Sequence, residues 1–125
     1  MNQIVAGVGV AALAMIIVSK TVRAEITAGA LVPVGVVCLT EAAMREVAKP
    51  FTEGKYQEAQ ERFEVHAANG ECTMAPNGAQ GMASSAEKFG PEHVDPDGDT
   101  VQGYLVQVGG FWSMVFDVIT KGGKS

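Results

Sequence analysis

Residues 100–119 read TVQGYLVQVGGFWSMVFDVI. Two runs rich in β-branched and aromatic residues flank Gly109-Gly110, a two-residue connection of the kind that closes a β-hairpin. Tyr104, Val106 and Val108 share one face of the first run. Trp112, Met114, Phe116 and Val118 share one face of the second, while Phe111, Ser113, Val115 and Asp117 point the other way. Alternation this regular predicts a half-buried antiparallel hairpin with the Trp112 face in the core. Phe111 and Val115 then lie on the outer face, and they are the candidate interaction surface for a partner protein or a cell-envelope component.

Upstream of the hairpin, Ser84 to Asp99 read SSAEKFGPEHVDPDGD. The stretch is polar and rich in turn formers, which predicts an exposed loop. Glu71–Ala75 and Ala79–Ala83 read as a short strand and its return, joined by Pro76-Asn77-Gly78. Asp95, Asp97 and Asp99 alternate, as calcium ligands do in the first half of an EF-hand loop. The sixth position, Thr100, lacks the required glycine, however, and the twelfth, Val106, lacks the bidentate glutamate. A solvated turn is the preferred reading, with the three aspartates retained only as weak metal candidates. His93 stands beside Glu92 and Asp95, but no serine or cysteine elbow accompanies it.

The middle of the chain carries helical signals. Thr40 is a good N-cap with Glu41 in the first turn, and Ala43, Met44, Val47 and Ala48 recur at helical spacing. Pro50 is expected to end or kink this helix, and Gly54 marks the turn. From about Lys55 to Ala68, Tyr56, Ala59, Phe63 and Ala67 form one apolar stripe, closed by Asn69-Gly70. Glu58 and Arg62 form a favourable i,i+4 pair. His66 falls off the stripe and reads as a partly exposed histidine. Cys38 precedes this helical hairpin and Cys72 follows it, so the two thiols can meet as a disulfide. Two buried free thiols, or metal or redox chemistry, are the alternatives. No C-x-x-C motif is present, and Cys38, His66, Cys72 and His93 match no zinc spacing.

The amino-terminal segment decides the compartment. Ile4 to Val18 read IVAGVGVAALAMIIV, fifteen residues without a charge. The run is short for a membrane span and fits the apolar region of an export signal, with a cut after Ala24. Residues 1–24 are thus expected to be a signal peptide or, if uncleaved, a membrane anchor. Lys20 and Arg23 follow the apolar run and no basic side chain precedes it, an asymmetry that favours an anchor with the remaining domain in the cytoplasm. The stretch ITAGALVPVGVVCL, residues 26–39, is interrupted by Pro33 and Gly35 and reads as one or two short buried strands.

The resulting expectation is an α+β fold. A small antiparallel curled sheet or SH3-like barrel carries an inserted helical hairpin over residues 25–120, with a hydrophobic signal helix before it and a flexible tail over 121–125. The net charge of -5 becomes -7 if residues 1–24 are lost, since Lys20 and Arg23 leave and no acid does. Such an acidic domain lacks the footprint for nucleic acid, and membrane contact is expected only through residues 1–24. No phosphate-binding glycine motif is present and no cofactor is expected. The function expected is that of an exported, secreted or periplasmic, non-enzymatic domain working through protein or envelope contacts. A membrane-anchored accessory subunit that keeps residues 1–24 is the second reading. A metal-binding protein or small hydrolase using His93 and Asp95–Asp99 is the third.

Overall fold

The computed structural model describes residues 19–22 and 26–122 of the chain. The apolar run at residues 4–18, the expected cut after residue 24 and the last three residues lie outside them. The element order is β1 (Ser19–Val22), β2 (Leu31–Pro33), β3 (Val36–Cys38), α1 (Glu41–Thr52), α2 (Tyr56–Ala68), β4 (Cys72–Met74), β5 (Gln80–Lys88), β6 (His93–Val94), β7 (Thr100–Val108) and β8 (Phe111–Thr120).

β7 and β8 form the predicted hairpin, with Val108 opposite Phe111 and Gly109 at a φ of +60°. The strands hydrogen-bond in the order β2-β5-β7-β8-β3-β4, and β6 adds to β7. All these pairings are antiparallel; β1 alone is parallel, laid along β8 with Ser19 opposite Val115 and Val22 opposite Val118. β1 also passes beside β2, so the curled sheet comes round toward itself at β1. The architecture is a small α+β domain with a half-barrel of sheet and two helices.

The hairpin is buried on both faces, which corrects the half-buried expectation. On one face Leu105, Met114, Phe116 and Val118 pack with Met44, Val47 and Phe51 of α1 and Ala59 of α2. On the other, Val106 and Val115 pack with Ile26, Val32 and Ala83 inside the curl. Val115 therefore cannot belong to an interaction surface: it is 0% exposed, enclosed because the sheet curls over the face that its alternation gives to solvent. Phe111 shares that face but lies at its rim and is 45% exposed.

Local chemistry explains the helices. Thr40 caps α1, its Oγ1 accepting from the Ala43 amide at 3.1 Å. Pro50 does not end the helix, which runs on to Thr52. The Glu46 carbonyl, to which residue 50 would normally donate, instead accepts from Arg62 Nη1 at 3.4 Å, and the apolar Pro50 ring is buried. α2 keeps its predicted stripe, with Ala59 buried and Tyr56 and Phe63 packed against the helix-side core. The Glu58–Arg62 pair forms.

Two readings of the middle change. β4 and β5 do not pair with each other: β4 pairs with β3, while β5 pairs with β2 and β7. The stretch read as a loop from Ser84 contributes half of β5, and β6 follows at His93–Val94. Its polar side chains disguise a strand whose ladder partner, β7, fixes its conformation. Neighbouring strands override weak local propensity there.

Candidate functional site

Three aspartates gather a lysine at one end of the half-barrel. Residues 95–99 form a tight turn before β7, with Gly98 at a φ of +87°. Asp95 Oδ1 accepts from the Asp97 and Asp99 amides at 3.0 Å each, an Asx-type arrangement that folds the turn onto itself. The three carboxylates each present an oxygen within 4.8 Å of the others. Between them sits the ammonium of Lys20 from β1, at 2.7 Å from Asp95, 3.0 Å from Asp97 and 3.0 Å from Asp99. All three donors of the ammonium are thereby used. Asp99 also accepts from the Gly122 amide at 2.7 Å, so the first part of the expected flexible tail is tied down.

The electrostatics match this arrangement. Burial works against the Lys20 charge, but the hydrogen bonds it donates to the three aspartates outweigh it and lift the pKa above the ordinary lysine value. The Gly122 amide and then Lys20 hold the Asp99 carboxyl below the usual carboxylate range. The Asp95 and Asp99 side chains are 6% and 7% exposed, whereas that of Asp97 is 76% exposed. A cation entering this cluster must displace a seated ammonium. A lysine kept charged is no nucleophile.

His93 does not join the aspartates. Its Nδ1 lies 3.3 Å from the Pro91 carbonyl oxygen, and its ring packs edge-on against Phe116 with centroids 5.7 Å apart. Nε2 is buried without a polar partner. His66 is the histidine that sequence reasoning undervalued. Its two ring nitrogens meet Glu71 and Glu46, each at 2.5 Å, so one imidazole ties α2 to α1 and to the approach of β4. The Glu71 hydrogen bond raises the His66 pKa; burial opposes this and Glu46 adds to it.

Cys38 and Cys72 stand opposite each other in the β3–β4 ladder and are disulfide-bonded, which removes both from any zinc site. An open hollow of about 220 Å³, lined by residues 33–35 and 74–80, holds no ionisable side chain. No helix among the described residues is long and apolar enough to cross a membrane. No family model matches the chain, and neither curated proteins nor solved structures give a match.

The outer surface of the curl carries the remaining feature. Leu31 and Met82 oppose each other across β2 and β5 and are each 62% exposed. Val22 on the neighbouring β1 is 61% exposed. Pairing register puts all three on the side away from the Val115 core. The helix-packed core takes no residue from β2 or β5.

Proposed function

We propose that this chain works outside the cytoplasm as a disulfide-stapled, SH3-like binding domain that is non-enzymatic and acts through contacts with another protein of the cell envelope. The observation that carries the reading is the row of apolar side chains on three neighbouring strands, Val22, Leu31 and Met82, each more than 60% exposed. Large apolar side chains left in water on adjacent strands mark contact surfaces more often than scattered single ones do. The Cys38–Cys72 bond suits an oxidising compartment. The charged residues of the Lys20 and His66 clusters are engaged with one another, which fits a scaffold more closely than a reaction centre.

The test is affinity capture from the native envelope fraction, with the purified full chain as bait and the double variant Leu31→Asp/Met82→Asp as its control. The variant is expected to keep its thermal midpoint within a few degrees, because both side chains are already in water, and to lose the captured partner. Equal capture by both proteins removes this surface from the proposal.

A further inference from the structure

The expected cut after residue 24 would remove β1, which the fold uses in three ways. β1 covers the edge of β8 from Val115 to Val118, a stretch that β3 does not reach, since β3 pairs with Trp112 and Ser113. It also lies beside β2, so its loss opens a seam between β8 and β2 onto the core around Val32, Val106 and Val115. Finally, Lys20 is the cation that Asp95 and Asp99 hold, and both carboxylates are more than nine-tenths buried.

Removing one partner from a buried charge cluster costs more than the cluster contributes, because the charges left behind stay desolvated. Without Lys20 the turn at residues 95–99 brings three carboxylates within 4.8 Å of one another with the ammonium that bridges them gone. The tie from Asp99 to Gly122 hangs on the same turn. Thr21 adds a hydrogen bond from its hydroxyl to Asp117 at 3.3 Å.

We infer that the mature protein keeps Ser19–Val22 as its first strand, so that any amino-terminal processing of this chain stops ahead of Lys20. The first 22 residues then divide in two. Ser19–Val22 belong with the folded domain, and only the apolar run before them serves export or anchorage. If that run stays in a bilayer, the domain begins directly at the membrane surface, because Val18 and Ser19 are consecutive.

The experiment is intact-mass and amino-terminal analysis of the protein recovered from native cells, followed by thermal unfolding of the full chain carrying Lys20→Met or Lys20→Arg. The expected amino terminus lies at or before Ser19, whether the chain is full-length or trimmed within the apolar run. Lys20→Met is expected to lower the thermal midpoint by roughly 5–10 °C, and Lys20→Arg to recover most of the loss. A native chain that begins at Glu25, or at any residue after Lys20, overturns the inference. So does a Lys20→Met protein that unfolds at the wild-type temperature. If Lys20→Met fails to fold at all, the strand is essential and the inference stands. The amino-terminal result does not depend on the contact surface, so it can fail while the binding reading holds, and the reverse.

Discussion

Single side chains set the pH limits of this fold. His66 is held by Glu71 and Glu46, and its folded-state pKa is raised above the ordinary histidine value of about 6.5. A raised pKa means that the folded state binds the proton more tightly than the unfolded chain does. The stabilisation is therefore complete below about pH 6.5 and is lost as pH climbs through the higher folded value. We expect His66→Gln to lower the thermal midpoint clearly at pH 6, with the gap to wild type closing as pH rises through the raised folded-state value; a gap that stays constant would show that the charge is irrelevant. Asp99 has the opposite sign. Its depressed pKa, set by the Gly122 amide and then Lys20, gives stability that is present above about pH 4 and drains away as pH falls below it. Ser113 is a neutral counterpart: fully buried, it donates to the Val36 carbonyl at 2.6 Å and so joins β8 to the start of β3. Ser113→Ala should cost about 1–2 kcal/mol in denaturant unfolding, because the carbonyl loses its donor in a site closed to water.

At the scale of elements, the disulfide and the helical hairpin form one unit. Cys38 and Cys72 are 34 residues apart, and the intervening chain is α1, α2 and their turn. Closing a loop of that length stabilises by about 3–4 kcal/mol in the chain-entropy model. Cys38→Ala/Cys72→Ala is expected to lose about that much by denaturant midpoint, and a reductant should do the same to wild type while leaving the double variant unchanged. This unit was legible in the sequence because its signals are local: a threonine cap, an apolar stripe, a glycine stop and two flanking thiols. Elements built from distant partners were not. β1 is four residues, SKTV, with no alternation to mark it, and its pairing with β8 spans nearly the whole chain. Lys20 meets aspartates 75 to 79 residues away, so nothing near it announced the cluster. The aspartates were noticed for their spacing, but a seated lysine and an incoming metal ion ask for the same carboxylates, and only the fold shows which is there. The second half of β5, from Ser84, reads as loop for a related reason: its polar residues carry loop-like composition into a strand held by β7.

At the scale of the whole molecule, the described residues build two cores that share one hairpin. The β7–β8 sheet presents Leu105, Met114 and Phe116 to the helices and Val106 and Val115 to the inside of the curl. Neither core is large, so each depends on the strands staying in register to supply the other, since a one-residue slip exchanges the two faces of a strand. Phe111 and Val115 expose this dependence because they lie on the same face of the same strand, four residues apart, with opposite surroundings. Phe111 is 45% exposed at the rim, and Val115 is 0% exposed within the curl. A charge at Phe111 keeps its water, so Phe111→Asp should leave the cooperative transition in place and shift its midpoint by less than about 1 kcal/mol. A charge at Val115 would be buried among the apolar side chains of Val32, Ala83 and Val106, and Val115→Asp should abolish cooperative folding, or cost more than about 4 kcal/mol where a transition survives. The two variants differ in no local property that a sequence reading of the strand can see. Near-equal stability would mean that the inside of the curl is wet, and that the hairpin has the single buried face its alternation first suggested. A wide gap, read from the two denaturation curves, means that the parallel strand and β2 do close over Val115 and make the second core.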